Sequence, residues 1–213
     1  MSSKKPPKKL VVVRGDILAK VARIANREGK TITTFANEVF EQAIKVYEMG
    51  LTLPEVVELY MLTKISREGG GSVVPRDIIR YLISKVYRSD RDELTRRFYE
   101  AGSWFGKYIV ARVHDRDPLE FLERLLYANV WDVKEVYVGK SGGKLSVRCV
   151  APQLSEEETR LLASYIEGLV SSLGFKPAKN DIIRGIILLD FEGGGESEGS
   201  YGEEGSLIRD SQE

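Results

Sequence analysis

The chain has 213 residues, of which 42% are hydrophobic and 30% charged, and this predicts one large or two small globular domains. The net charge is zero, but residues 1–50 carry ten Lys/Arg against five Asp/Glu and residues 192–213 carry one against seven. A single cysteine, Cys149, excludes an internal disulfide, and a single histidine, His114, argues against most zinc and serine-hydrolase sites. No stretch reaches the ~20 apolar residues of a membrane helix, so a cytoplasmic protein without a membrane partner is expected.

The first 50 residues divide into an arm and one compact pattern. Residues 1–9 hold four lysines and two prolines, which is typical of a disordered basic arm. Residues 10–14, LVVVR, predict a short strand that Gly15 ends. Two amphipathic helices follow, one from Asp16 towards Gly29 and one capped by Thr31 and ending near Gly50. A strand and two helices of this size leave apolar faces without partners, so the pattern predicts a homodimer.

This order of elements resembles the ribbon-helix-helix DNA-binding fold of Arc/MetJ/CopG-type repressors over residues 10–50. In that family, strands from two copies pair and enter the major groove of double-stranded DNA. The resemblance implies base contacts from Leu10, Val12 and Arg14, although the first two are apolar where the family usually has polar side chains. It also implies phosphate contacts at the start of the second helix and from the arm, which are assigned to Lys4, Lys5, Lys8, Lys9, Lys30, Thr31, Ile32 and Thr33.

A second interpretation of the same residues is kept open. A strand and two helices can serve as a dimerisation module that never touches nucleic acid. The apolar outward strand positions Leu10 and Val12 fit a covered sheet as well as they fit DNA. The chain would then be a protein-interaction scaffold or an antitoxin-like dimer with little DNA specificity.

Residues 51–89 predict connecting helices. Pro54 suits the first turn of one helix and Pro75 opens another. Between them, GGGS at residues 69–72 lacks the Lys and Ser/Thr that follow the glycines of a phosphate-binding loop, so an ordinary loop is expected.

Residues 90–192 predict an α+β domain. Two helices come first, and strands follow at residues 131–139 and 145–151 around a turn that contains Gly142 and Gly143. A helix with a capping box from Ser155 to Glu158 precedes a last strand over residues 182–191. The expected architecture is an antiparallel sheet with helices on one face.

This half resembles the 4-vinyl-reductase-like small-molecule-binding domain, a relative of haem-based nitric-oxide sensors. The similarity lies in Phe98–Gly106, the strand at 131–139 and the helix at 165–175. The cysteines that the family often places in its last strand are missing, so no metal is expected, and the position of His114 at a helix end argues against haem. The resemblance implies an apolar small-molecule ligand, with a pocket assigned to Phe98, Gly102, Phe105, Gly106 and Trp131. Tight packing without a ligand is the alternative.

Taken together, these features predict a DNA-binding transcriptional regulator without catalytic residues or cofactor. The carboxylates at residues 156–158 are explained by the preference of helix starts for acids, and Cys149 is expected to be a buried, inert thiol. The tail, residues 193–213, is rich in Gly, Ser and Glu and is predicted to be disordered.

Overall fold

The computed structural model describes residues 9–112, 117–127 and 133–193. The chain divides into two compact units, one up to Met61 and one from Leu62 onward. No helix in the described ranges is long and apolar enough to cross a membrane. The helices are α1 Gly15–Arg27, α2 Ile32–Glu48, α3 Leu53–Glu68, α4 Arg76–Ser89, α5 Arg91–Arg112, α6 Pro118–Tyr127 and α7 Glu156–Ser172, and the strands are β1 Glu135–Ser141, β2 Lys144–Val150, β3 Phe175–Ile183 and β4 Ile186–Gly193.

The first unit is helical, and the ribbon-helix-helix prediction is wrong. Residues 10–14 form no strand, because their peptide groups have no neighbouring strand with which to share hydrogen bonds in the described part of the chain. Helix α1 begins directly after Arg14, whose carbonyl accepts the first helical hydrogen bond from Leu18. The two helices themselves end as predicted, since Gly29 and Gly50 adopt positive φ beyond α1 and α2.

The second unit is α+β, and its sheet has four antiparallel strands in the order β1-β2-β4-β3. The β1–β2 hairpin turns at Gly142 and Gly143, both with positive φ, as the sequence predicts. Strands β2 and β4 form the centre of the sheet. Their inward side chains pair across the strands, Leu145 with Phe191, Val147 with Leu189 and Cys149 with Ile187, and all six are buried.

The last predicted strand, residues 182–191, combines the end of one strand, a turn and most of the next strand. Strand β3 ends at Ile183, Gly185 occupies the turn with φ +76°, and β4 begins at Ile186. Because β3 is polar and contains Pro177, it lacks the apolar alternation that marks a half-buried strand. A proline is tolerated there because β3 lies at the edge of the sheet.

One hydrophobic core joins the inner face of the sheet to the helices of the second unit. Helix α7 lies at its centre, with Leu162, Ile166 and Leu169 fully buried. Its capping box forms as predicted: Ser155 Oγ accepts from the Glu158 amide at 3.2 Å, and Glu158 Oε2 accepts from the Ser155 amide at 2.7 Å. The same carboxylate pairs with Arg80 of α4 at 3.2 Å and thereby ties α4 to the start of α7.

Candidate ligand cavity

The described residues that were assigned to DNA do not form a groove-reading surface. Lys9, Leu10 and Val12 are exposed in a segment without secondary structure. Arg14 is held by Asp16, since its guanidinium donates to both oxygens of that carboxylate, at 3.1 and 2.7 Å. The pair also lowers the pKa of Asp16, mainly through this hydrogen bond. Lys4, Lys5 and Lys8 lie outside the described residues.

The residues assigned to a phosphate clamp are also engaged within the chain. Thr31 caps α2, as predicted, by accepting from the Thr34 amide at 3.1 Å. Lys30 forms ion pairs with Glu38 at 2.6 Å and with Glu28 at 3.0 Å, and these hydrogen bonds raise its pKa. Its positive charge is therefore balanced by two neighbouring carboxylates. Ile32 and Thr33 are exposed in the first turn of α2.

A cavity of about 530 Å³ opens in the second unit between residues of four helices, α3, α5, α6 and α7, and a glycine loop. This volume lies within the ~300–1,000 Å³ that is usual for small-molecule pockets. No charged side chain lines it. The lining residues are Ser66, Gly69, Gly70, Gly71, Ala101, Trp104, Phe105, Leu125, Leu126 and Tyr165.

The glycine loop closes one side of the cavity and does not cradle an anion. Its three amides donate to carbonyls at the end of α3. Gly69 donates to Ile65 O at 2.8 Å, Gly70 to Arg67 O at 3.1 Å and Gly71 to Ser66 O at 2.8 Å. A phosphate would have no free amide to bind in this loop. A Cβ on Gly69 would overlap the ring of Phe105, so glycine lets the loop lie against the aromatic wall.

Aromatic side chains form the wall on α5. The ring of Trp104 stacks on Tyr108 with centroids 5.5 Å apart, and Phe105 lies 6.4 Å from Tyr165 of α7. The Tyr108 hydroxyl donates to Glu68 Oε2 at 2.9 Å. This hydrogen bond links the end of α3 to the aromatic side chains of α5. The cavity thus presents flat, polarisable surfaces of the kind that favour aromatic ligands.

Tyr165 is the principal polar group at the cavity. Tyr165 is only partly exposed, and burial raises the pKa of its phenol. Together with Ser66, it offers a ligand one or two neutral hydrogen bonds.

The predicted pocket residues lie on two different faces of α5. Phe105 lines the cavity, and Phe98 is half-buried on the same helix. Gly102 and Gly106 instead face α7, where a Cβ on Gly102 would overlap the Tyr165 carbonyl oxygen. These two glycines allow the helix backbones to touch. Trp131 and His114 lie outside the described residues.

Most of the cavity lining was not predicted from the sequence. Four of the lining residues come from three helices that are distant in the chain: Ser66, Leu125, Leu126 and Tyr165. Nothing in the local sequence pattern distinguishes these residues from core residues. The one available signal is the GGG run, which is unusual beside an apolar helix.

Within the described ranges, no group of three His, Cys, Asp or Glu could hold a metal ion. Cys149 is buried, and burial raises its pKa to about 12.

The comparisons with known proteins yield only distant structural likenesses. No family model matches the chain, and no curated protein matches it. A double variant of the Tt H-NOX domain shows 11% identity and a TM-score of 0.36 over 62% of this chain and 83% of its own. A Cs H-NOX variant with an unnatural 4-cyano-L-phenylalanine shows 11% identity and a TM-score of 0.34 over 63% of this chain and 90% of its own. Likenesses at this level carry no argument about this chain.

The prediction of a DNA-binding transcriptional regulator is wrong. Its base-reading element was a strand at residues 10–14, and the structure has no strand there. Its specific reader, Arg14, is paired with Asp16, and its phosphate-binding lysine, Lys30, is paired with two glutamates.

Proposed function

We propose that the second unit binds a neutral, largely aromatic small molecule in the cavity between α5, α6 and the glycine loop. The observation that carries this proposal is the lining, which combines aromatic and aliphatic side chains with two hydroxyls and includes no charge. A charged ligand would lose its hydration without gaining an ion pair. A flat apolar ligand gains the burial of its surface and contact with the rings of Trp104 and Phe105.

The Tyr165 hydroxyl adds a requirement for the ligand. A ligand with one hydrogen-bonding group can bond to that hydroxyl in place of water, whereas a pure hydrocarbon cannot. The proposed ligand class is therefore a neutral aromatic molecule with a single polar group. The lining contains no carboxylate, imidazole or amine that could act as a general base, so we propose binding without catalysis. Because Cys149 allows no internal disulfide, we place this function in the cytoplasm.

The test uses two probes that differ in charge. We expect 2-naphthol to bind and to raise the melting temperature of the full chain, by the equivalent of about 2.7 kcal/mol at a hundredfold excess over the dissociation constant. Naphthalene-2-sulfonate has the same ring system with a negative charge, and we expect it to give no shift.

Two variants on α5 locate the binding site. Ala101→Leu adds bulk to the lining and should weaken 2-naphthol binding at least about tenfold, which corresponds to ~1.4 kcal/mol. Ala111→Leu makes the same change at an exposed position of the same helix away from the cavity, and should leave binding unchanged. Equal affinities in both variants would place the site elsewhere. Failure of 2-naphthol and related neutral phenols to bind the wild type would overturn the proposal.

A further inference from the structure

The first unit has almost no core of its own. Of the 26 buried hydrophobic residues in the described chain, Ala25 alone lies in residues 9–61. The same 53 residues hold 18 of the 30 exposed large hydrophobics. Soluble monomers rarely expose contiguous apolar surface beyond a few hundred Å². These helices therefore lack most of the apolar contact that a stable folded unit needs.

Helix α2 carries the clearest part of this surface. Phe40, Ile44 and Tyr47 recur at the spacing of one helix face, and each is at least half exposed. The neighbouring positions on that face, Thr33 and Ala43, are uncharged. A second helix can pack along this stripe while Glu41 and Glu48, the i−3 and i+4 neighbours of Ile44, remain at its edge in water.

The first half of α3 extends the exposed apolar surface. Four of the five residues from 57 to 61 are large, hydrophobic and exposed: Val57, Leu59, Tyr60 and Met61. Four such positions within five residues point to different sides of a helix. Glu55 and Glu58 lie among these positions, so a partner can cover the apolar side chains on either side of the two carboxylates.

We propose that a second copy of this chain covers the apolar surface of α2 and the first half of α3. Ten large hydrophobic side chains there are about half exposed: Ile32, Val39, Phe40, Ile44, Tyr47, Leu53, Val57, Leu59, Tyr60 and Met61. At roughly 100 Å² for each, they present on the order of 1,000 Å² per copy. A standard stable interface buries about 800 Å² per partner, so contact over most of this surface suffices for a dimer.

The charges beside the stripe indicate an antiparallel arrangement. Glu41 and Lys45 lie on the same flank of α2 and form no ion pair within the described residues. In an antiparallel helix pair, a flank faces the same flank of the other helix. With a twofold axis beside Ile44, Glu41 of each copy comes within reach of Lys45 of the other, and the two Ile44 side chains meet.

Cysteine cross-linking tests this arrangement directly. Under mild oxidation, the Ile44→Cys protein should form a disulfide-linked dimer, because the two copies of residue 44 lie next to each other. Gln42→Cys places an exposed thiol on the opposite side of α2 and should not cross-link beyond random collision. The natural Cys149 is buried and does not interfere. Equal cross-linking of the two variants would overturn the proposed interface.

The mass in solution gives an independent measurement. Sedimentation equilibrium of the full chain at micromolar concentration should give twice the chain mass of 23.9 kDa. Ile44→Glu should shift the protein to the monomer, whereas Gln42→Glu adds the same charge off the stripe and should leave the dimer intact. A monomeric wild type overturns the proposal. In that case, slow hydrogen exchange in α2 would indicate cover from the same chain, and fast exchange would indicate a surface left for another protein.

Discussion

Substitution of Gly102 by alanine should destabilise the second unit, although it replaces a poor helix former with the best one. A Cβ at this position would overlap the Tyr165 carbonyl oxygen and lie 2.8 Å from its carbonyl carbon and 3.1 Å from the Leu169 amide nitrogen. Gly168 of α7 faces the backbone of α5 in the same way, with its Cβ position 3.0 Å from the Ser103 nitrogen. Both obstacles are main-chain atoms, so no rotamer change relieves the overlap.

The magnitude follows from two opposing terms. Alanine gains about 1 kcal/mol over glycine in helix propensity. Overpacking typically costs ~1–3 kcal/mol, and a backbone clash falls at the upper end of that range because the helices themselves must separate. The expected net loss for Gly102→Ala is therefore about 2 kcal/mol in the free energy of unfolding.

Urea unfolding followed by tryptophan fluorescence measures this loss, since both tryptophans lie after Leu62, in the second unit. The matched control is Ala111→Gly, at an exposed position of the same helix, which reports the propensity difference without a steric change. It should lower stability by about 1 kcal/mol or less. A Gly102→Ala protein as stable as the wild type, or more stable, would show that α5 and α7 separate at little cost and would refute the reasoning.

Two further predictions concern Cys149 and Ser155. Burial raises the Cys149 pKa from 9.0 to about 12, so the unfolded chain loses this proton first. The contribution of the thiol to stability is intact below pH 9 and falls as pH rises towards 12, by at most ~1.4 kcal/mol per pH unit. Urea midpoints measured from pH 8 to pH 10 should show a steeper decline for the wild type than for Cys149→Ala, and parallel curves would contradict the assignment. Ser155→Ala removes the hydroxyl that accepts from the Glu158 amide and should lower the free energy of unfolding in urea by ~1 kcal/mol. Ser155→Thr keeps a hydroxyl and should retain most of that stability. If both variants lose the same free energy, the hydroxyl is not the stabilising group.

The helix ends could be predicted from the sequence because their signals are local. Thr31 and Ser155 accept hydrogen bonds from amides three residues ahead, and these contacts need nothing from elsewhere in the fold. The Gly142–Gly143 turn is equally local, since the positive φ of both residues is a property of the turn itself.

The strands were less predictable because a strand depends on its neighbour. The β-branched run at residues 10–14 has high strand propensity, yet it forms no strand, since no paired backbone lies beside it in the described chain. Strand β3 is the opposite case. Its polar sequence with Pro177 has low propensity, but β4 provides a paired edge from Phe175 to Ile183. In both segments the partner, and not the local sequence, decided the outcome.

The cavity could not be predicted for a related reason: it depends on how two faces of one helix are packed. On one face of α5, Gly102 and Gly106 allow the backbone of α7 to lie in contact with the helix. This contact holds the main chain of Tyr165 close to α5. On the other face, Trp104 and Phe105 line the cavity, and the glycine loop lies directly against the ring of Phe105. The tight crossing therefore sets the 6.4 Å separation between the Phe105 and Tyr165 rings, which is part of the cavity wall. Of the residues that were predicted to touch the ligand, Phe105 lines the cavity, whereas Gly102 supports it by letting the backbone of α7 at Tyr165 pack closely on the far side of the same helix.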